Sequence, residues 1–173
     1  MKKLRLFITM MFGAFLMLTT NVMAQSTASA TGTATIISPL TITKTVDMNF
    51  GKVSAGASGG TVVLSTAGER TVTSTVQLAA STVVTAASFD VTGEGDYTYA
   101  ITLPTEAYTI TKGKETMTVT TFTSDPTPTG TLTGGSHGGT QTLLVGATLN
   151  VAADQAAGVY TNTTGFDVTV NYN

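Results

Sequence analysis

The sequence predicts an all-β protein folded as an antiparallel sandwich. Three observations lead there. Apolar residues recur with a period of two over most of the chain after residue 40. Clusters of glycine, proline, aspartate and serine interrupt that alternation at short intervals. Thirty-nine of the 173 residues are threonine, a β-branched type that suits a strand and can leave its hydroxyl in water.

The strands can be placed in order. Leu40, Ile42, Val46, Met48 and Phe50 share one phase, broken by Lys44. We read a strand end or bend at that lysine, with edge protection as the other use of an inward-phased charge. Val83, Phe89 and Val91 form a second alternation, and Tyr97, Tyr99, Ile101 and Leu103 a third. Met117 and Val119 are in phase but Phe122 is one residue off, so Thr120-Thr121 predicts a β-bulge. Leu143, Val145, Ala147, Leu149 and Val151 make the longest unbroken run. Phe166, Val168, Val170 and Tyr172 alternate with Asp167, Thr169 and Asn171 to form the last strand. Turns are expected at Gly59-Gly60, Ala67-Gly68, Gly93–Asp96, Asp125–Pro128 and Gly134–Gly139.

The first 24 residues read differently. Lys2, Lys3 and Arg5 precede an apolar run from Leu6 to Leu18, and Val22-Met23-Ala24 offers small residues for cleavage. That is the tripartite pattern of a secretory signal peptide, residues 1–24, and the run is short for a membrane span. Residues 25–173 are then one domain of 149 residues with five cations and ten carboxylates, a formal charge of −5. A core of that size needs no disulfide, and there is no cysteine. The charge offers no footprint for nucleic acid. Only nine aromatics remain after residue 24, and no tryptophan, too few for the two girdles of an outer-membrane barrel. The exported chain therefore has no membrane span.

Composition leaves little room for catalysis. His137 is the only histidine and sits among four glycines, which predicts an exposed loop tip. Glu94 and Asp96 lie in one turn and supply too few oxygens for calcium. No G-x-S-x-G elbow is present, and Asn162-Thr163-Thr164 reads as polar strand or bend residues more readily than as a glycosylation site. We expect no enzyme, no metal and no cofactor. The most specific local signal is structural. In Ala157-Gly158-Val159-Tyr160, Gly158 and Tyr160 have the layout of a tyrosine corner, where the phenol bonds back to upstream backbone. Such corners mark Greek-key, immunoglobulin-like sandwiches.

Several motifs also carry a resemblance. Ala34–Ile42 with Asp47-Met48-Asn49-Phe50-Gly51-Lys52-Val53, Phe89–Gly95, Asn150–Tyr160 and Phe166–Tyr172 together resemble the bacterial secreted family called domain of unknown function 4402. More loosely, Asn49-Phe50-Gly51, the Ala-Gly-x-Tyr turn and Tyr172 are similar to pilin subunits of chaperone–usher fimbriae and to spore coat U-type proteins. That looser resemblance implies a sandwich lacking its last strand, filled first by a periplasmic chaperone and then by the N-terminal extension of the next subunit. Phe166, Val168, Val170 and Tyr172 would form the C-terminal assembly strand. Ala28, Ala30, Gly32, Ala34 and Ile36, within residues 25–36, would form the donor or a first strand, although only Ile36 is large. The expectation is a pilin-like structural or adhesive subunit located in the periplasm, on the cell surface as a fimbrium, or outside the cell. The alternative is a self-complete secreted sandwich that binds carbohydrate or protein.

The leader generates the first prediction. Mass spectrometry of the exported protein should find an N-terminus at Gln25, free or cyclised. Exported material that retains Met1 would contradict it.

Overall fold

The computed structural model describes residues 25–80 and 82–173. The expected signal peptide lies outside the described residues. The chain divides after Thr35 into two units. Of the first, residues 25–35 have no regular secondary structure and are exposed. The second unit, Ile36–Asn173, is the sandwich, and no helix occurs among the described residues.

Twelve strands follow in order, all paired antiparallel: β1 Thr41–Val46, β2 Val53–Ser54, β3 Gly60–Leu64, β4 Arg70–Val72, β5 Gln77–Leu78, β6 Ala87–Gly93, β7 Thr98–Thr102, β8 Tyr108–Lys112, β9 Glu115–Asp125, β10 Thr129–Thr131, β11 Gly139–Val151 and β12 Thr169–Tyr172. The fold is an all-β sandwich. Its larger sheet has seven strands, ordered β1-β6-β11-β3-β4, with β9 paired to β11 and β8 to β9. A smaller sheet runs β10-β7-β12, and β2 pairs β5 separately.

The thirteen-residue strand β11 organises both halves of the core. Residues 139–145 pair β6, residues 147–151 pair β3, and residues 144–150 pair β9 along the other edge. The handover from β6 to β3 falls at Gly146, where a Cβ would lie 2.3 Å from the Leu64 carbonyl oxygen. Any larger residue would force these backbones apart. Its inward phase is the run read from the sequence, and all five residues are buried. Leu143 and Val145 pack with Ala87, Phe89, Val91, Tyr99 and Leu132. Ala147, Leu149 and Val151 pack with Val62, Val76, Met117 and Val119. Phe122 touches both groups.

The bulge expected at Thr120-Thr121 is present. Gly146 pairs Thr123 and Thr148 pairs Thr120, so two residues of β9, Thr121 and Phe122, oppose one of β11. Thr121 takes φ +50° to make the bend. This brings Phe122 back to the inner face, where it meets Phe166 with ring centroids 4.9 Å apart. β1 departs from the expectation. It does not end at Lys44; the register shifts between Lys44 and Val46 while pairing with β6 continues. The shift turns Val46 outward, leaving it 40 % exposed. Lys44 reaches Asp47 at the surface, at 2.5 Å. Val83 lies before β6 and is exposed, so the inward phase begins at Ala87.

The outer face of the larger sheet is hydroxyl-lined. Thr109, Thr118, Asn150, Thr61 and Thr73 form a row across five chain segments, and the Asn150 amide donates to the Thr118 and Thr120 hydroxyls. Such a face keeps the sheet wet without charge. Arg70 supplies a different kind of support. Its guanidinium donates to the carbonyls of Phe50, Lys52 and Ala79 and so ties together the segments around β2 and β5.

Two hydroxyls generate a paired prediction. Tyr160 Oη donates to the Ala156 carbonyl at 2.8 Å and accepts from Gln155 Nε2 at 2.9 Å. Ser124 Oγ is buried with no partner. Tyr160→Phe should therefore lower stability by about 1 kcal/mol, whereas Ser124→Ala should cost nothing or raise it. Urea midpoints of the two variants check this, and equal losses would contradict it.

Candidate functional site

Three polar residues that are distant in sequence meet just ahead of β1. Ser38 lies in the extended stretch before that strand, held to extended backbone by Pro39. Glu94 follows β6 directly, and His137 lies in the glycine-rich turn between β10 and β11. The two turns come together because both are glycine there. A Cβ on Gly95 would lie 2.4 Å from the Gly134 oxygen, and one on Gly139 would lie 2.7 Å from the Gly95 Cα.

Glu94 is 7 % exposed, an unusual position for a carboxylate, and it is well supplied with donors. The Ser38 N–H donates to Oε2 at 3.0 Å and the His137 N–H to Oε1 at 3.2 Å. His137 Nδ1 stands 2.9 Å from Oε2. The Glu94 N–H donates to Tyr172 Oη at 2.7 Å, and that phenol donates to the Ser38 carbonyl at 2.9 Å. The backbone N–H of Ser38 holds the Glu94 carboxyl below its ordinary value of 4.5. Desolvation opposes the shift, and the His137 N–H and imidazole reinforce it.

Serine, histidine and glutamate together invite comparison with a hydrolytic triad, and the geometry does not support one. Ser38 Oγ is 3.2 Å from His137 Nδ1, the same nitrogen that faces Glu94. A triad needs the nucleophile on one ring nitrogen and the acid on the other. Here an acceptor-only carboxylate requires the proton on Nδ1, and the Ser38 hydroxyl shares that same N–H. The group can bind and hold backbone; it cannot pass a proton from serine through the ring.

The residues singled out in the sequence are therefore sorted differently by the structure. His137 is at an exposed loop tip, as expected, but is tied there, because its imidazole and its N–H both bond Glu94. Glu94 and Asp96 do not converge: one is buried against Ser38, while the other is exposed with φ +65°. Asn162 is occupied, donating to the Thr109 carbonyl and accepting from the Thr164 N–H. No group of three or more metal-ligating side chains exists among the described residues. Tyr160 precedes a single bridge, Thr111 to Thr161, and strand pairing resumes only at Thr169. Gly158 sits against the aliphatic stem of Lys112.

The second feature is a seam. β12 pairs β7 along one edge, and β1 pairs β6 along one edge. The other edge of each carries no strand among the described residues. The two strands approach where Tyr172 reaches Ser38, without pairing. Between them, Leu40 and Ile42 on one side and Phe166, Val168, Val170 and Tyr172 on the other pack on the core yet stay only partly buried. Of the expected assembly strand, Phe166 and Val168 lie before the paired region and only Thr169–Tyr172 is strand. Ala28, Ala30, Gly32, Ala34 and Ile36 are all exposed and outside any strand, so the first strand begins at Thr41 and not within residues 25–36.

These features define the protein as an antiparallel all-β sandwich with an open seam between β1 and β12 and a polar knot closing its end. The chain belongs to the family described as Domain of unknown function (DUF4402), which matches residues 40–172. Neither the curated proteins nor the solved structures yield a match to this chain.

The Glu94 carboxylate sets a pH prediction. Because its carboxyl titrates lower in the folded than in the unfolded state, its stabilisation is complete above the unfolded value. It is lost as pH falls through the folded one. Glu94→Gln should flatten the acid limb of stability against pH, and thermal unfolding between about pH 6 and pH 2 measures it. An unchanged acid limb would assign acid sensitivity to other carboxylates.

Proposed function

We propose that this protein is an exported, non-enzymatic structural subunit of the cell surface that associates with copies of itself by strand addition. In this reading residues 25–36 of one copy pair with the outer edge of β12 in the next. The observation that carries it is the seam: an unpaired edge at Thr169–Tyr172 flanked by partly buried Phe166, Val168, Val170, Leu40 and Ile42. An open edge beside exposed apolar surface is an aggregation hazard, and filling it with a strand removes both liabilities at once.

Other features support the reading. The pattern of residues 1–24 fits export. Residues 25–36 contain neither proline nor charge, so each can join a backbone ladder. Ile36 is 88 % exposed and is the one bulky side chain in the segment that could enter an apolar pocket. The small alternating residues Ala28, Ala30, Gly32 and Ala34 add little burial, at about 0.8 kcal/mol per CH₂. Association would therefore rest mainly on main-chain hydrogen bonds. An edge of this kind needs cover before assembly, which gives a periplasmic chaperone a role. An adhesive function would follow from surface display of the polymer.

Deleting residues 25–32 tests the proposal. Heat-sensitive multimers of the exported protein should disappear on gels, leaving a monomer that aggregates or depends on a chaperone. A parent that is already monomeric, with a deletion variant of identical melting behaviour, would favour the self-complete secreted sandwich instead.

A further inference from the structure

Every polar group of Ser38 is engaged. Its N–H is held by the Glu94 carboxylate, its carbonyl by the Tyr172 phenol and its hydroxyl by the His137 imidazole. The three partners come from the β6–β7 turn, from β12 and from the β10–β11 turn. Pro39 removes further freedom, since the residue before a proline is confined to extended backbone. Three residues earlier the chain passes from the sandwich into the exposed segment that ends at Thr35.

We propose that Glu94, His137 and Tyr172 form an acid-released clamp on Ser38, which fixes the point where the N-terminal segment leaves the sandwich and on which self-association depends. This rests on the strand-addition reading above. Strand addition orders an extended segment, and a junction that is already immobile lowers the entropic cost of that ordering. A loose junction would add slack and dilute the segment around its target.

The titratable groups in contact are the Glu94 carboxylate, the His137 imidazole and the Tyr172 phenol. Among the described residues no lysine or arginine bonds to them, and Asp96, in the same turn, is exposed. Acid turns the Glu94 carboxylate, which accepts from the Ser38 N–H, the His137 N–H and His137 Nδ1–H, into a neutral carboxyl. The grip on Ser38 fails from the carboxylate side while the rest of the sandwich keeps its core.

Amide hydrogen exchange at Ser38, together with sedimentation of the exported protein across pH, tests the clamp. At neutral pH the Ser38 N–H should be protected, and protection and self-association should fall together in acid. Glu94→Gln, whose amide oxygen can still accept but carries no charge, should weaken the protection, remove its acid dependence and associate about tenfold more weakly, as expected for losing a charge-assisted hydrogen bond. Asp96→Asn, the neighbouring carboxylate outside the clamp, should behave as the parent. If Glu94→Gln does not fold, Tyr172→Phe, which frees the Ser38 carbonyl and the Glu94 N–H but leaves the Glu94 carboxylate on the Ser38 N–H, should show the same loss to a smaller degree. An unprotected Ser38 in the parent, or unchanged association in both variants, overturns the clamp's role. A parent with protected Ser38 that stays monomeric at every pH overturns strand addition and leaves the clamp as a device of the fold alone.

Discussion

One strand holds this molecule together. β11 is paired on both edges along its middle, and every second residue from Leu143 to Val151 points into a core. Its length lets it serve two groups of side chains in succession, one with β6 and β7 and one with β3 and β9. The other elements are arranged around that requirement. β6 and β3 share one edge of β11 end to end, which is possible only because Gly146 lets Leu64 come close. The bulge in β9 restores the phase of Phe122 so that it bridges both groups.

Few charges are needed to keep such a sandwich in water. Threonine does that on the outer faces, bonding sideways to its neighbours, as Thr41 to Thr92 and Thr61 to Thr73. The charges that remain have structural uses. Arg70 gathers three carbonyls, Lys112 caps the Ala157 carbonyl, and Lys44 sits on an edge strand where a charge opposes unwanted pairing. Glu94 is the buried exception, and its environment of N–H donors explains how a carboxylate is retained there.

The seam and the knot at Ser38 are connected through Tyr172. The phenol belongs to the last strand, and its hydroxyl lies between the Glu94 N–H and the Ser38 carbonyl. Its ring also meets Tyr97 edge-on at 5.8 Å. Gly93 is required for this approach, since a Cβ there would lie 2.2 Å from the phenol oxygen. The start and the end of the sandwich are thus joined through Tyr172, while the rest of the gap between β1 and β12 carries no pairing among the described residues.

The sequence by itself determined the class of fold, the position of β11 and its buried phase, the bulge in β9, and the turns at the glycine and proline clusters. Those properties are local: period-two burial and turn chemistry are written in neighbouring residues. Short strands such as β2, β4, β5 and β10 carry too few residues to show a period, so they were not legible. The shift at Lys44 was visible as a break in phase but not as a bulge, because only the pairing with β6 distinguishes the two. The Ser38, Glu94 and His137 group was hidden for a stronger reason. Its members lie 56 and 43 residues apart, one in an extended stretch and two in separate glycine-containing turns. No periodicity or spacing links them, and only the folding of β6 and β11 side by side brings their turns to one end. The open edge of β12 is of the same kind, since whether a strand has one neighbour or two is a property of the sheet and not of the strand.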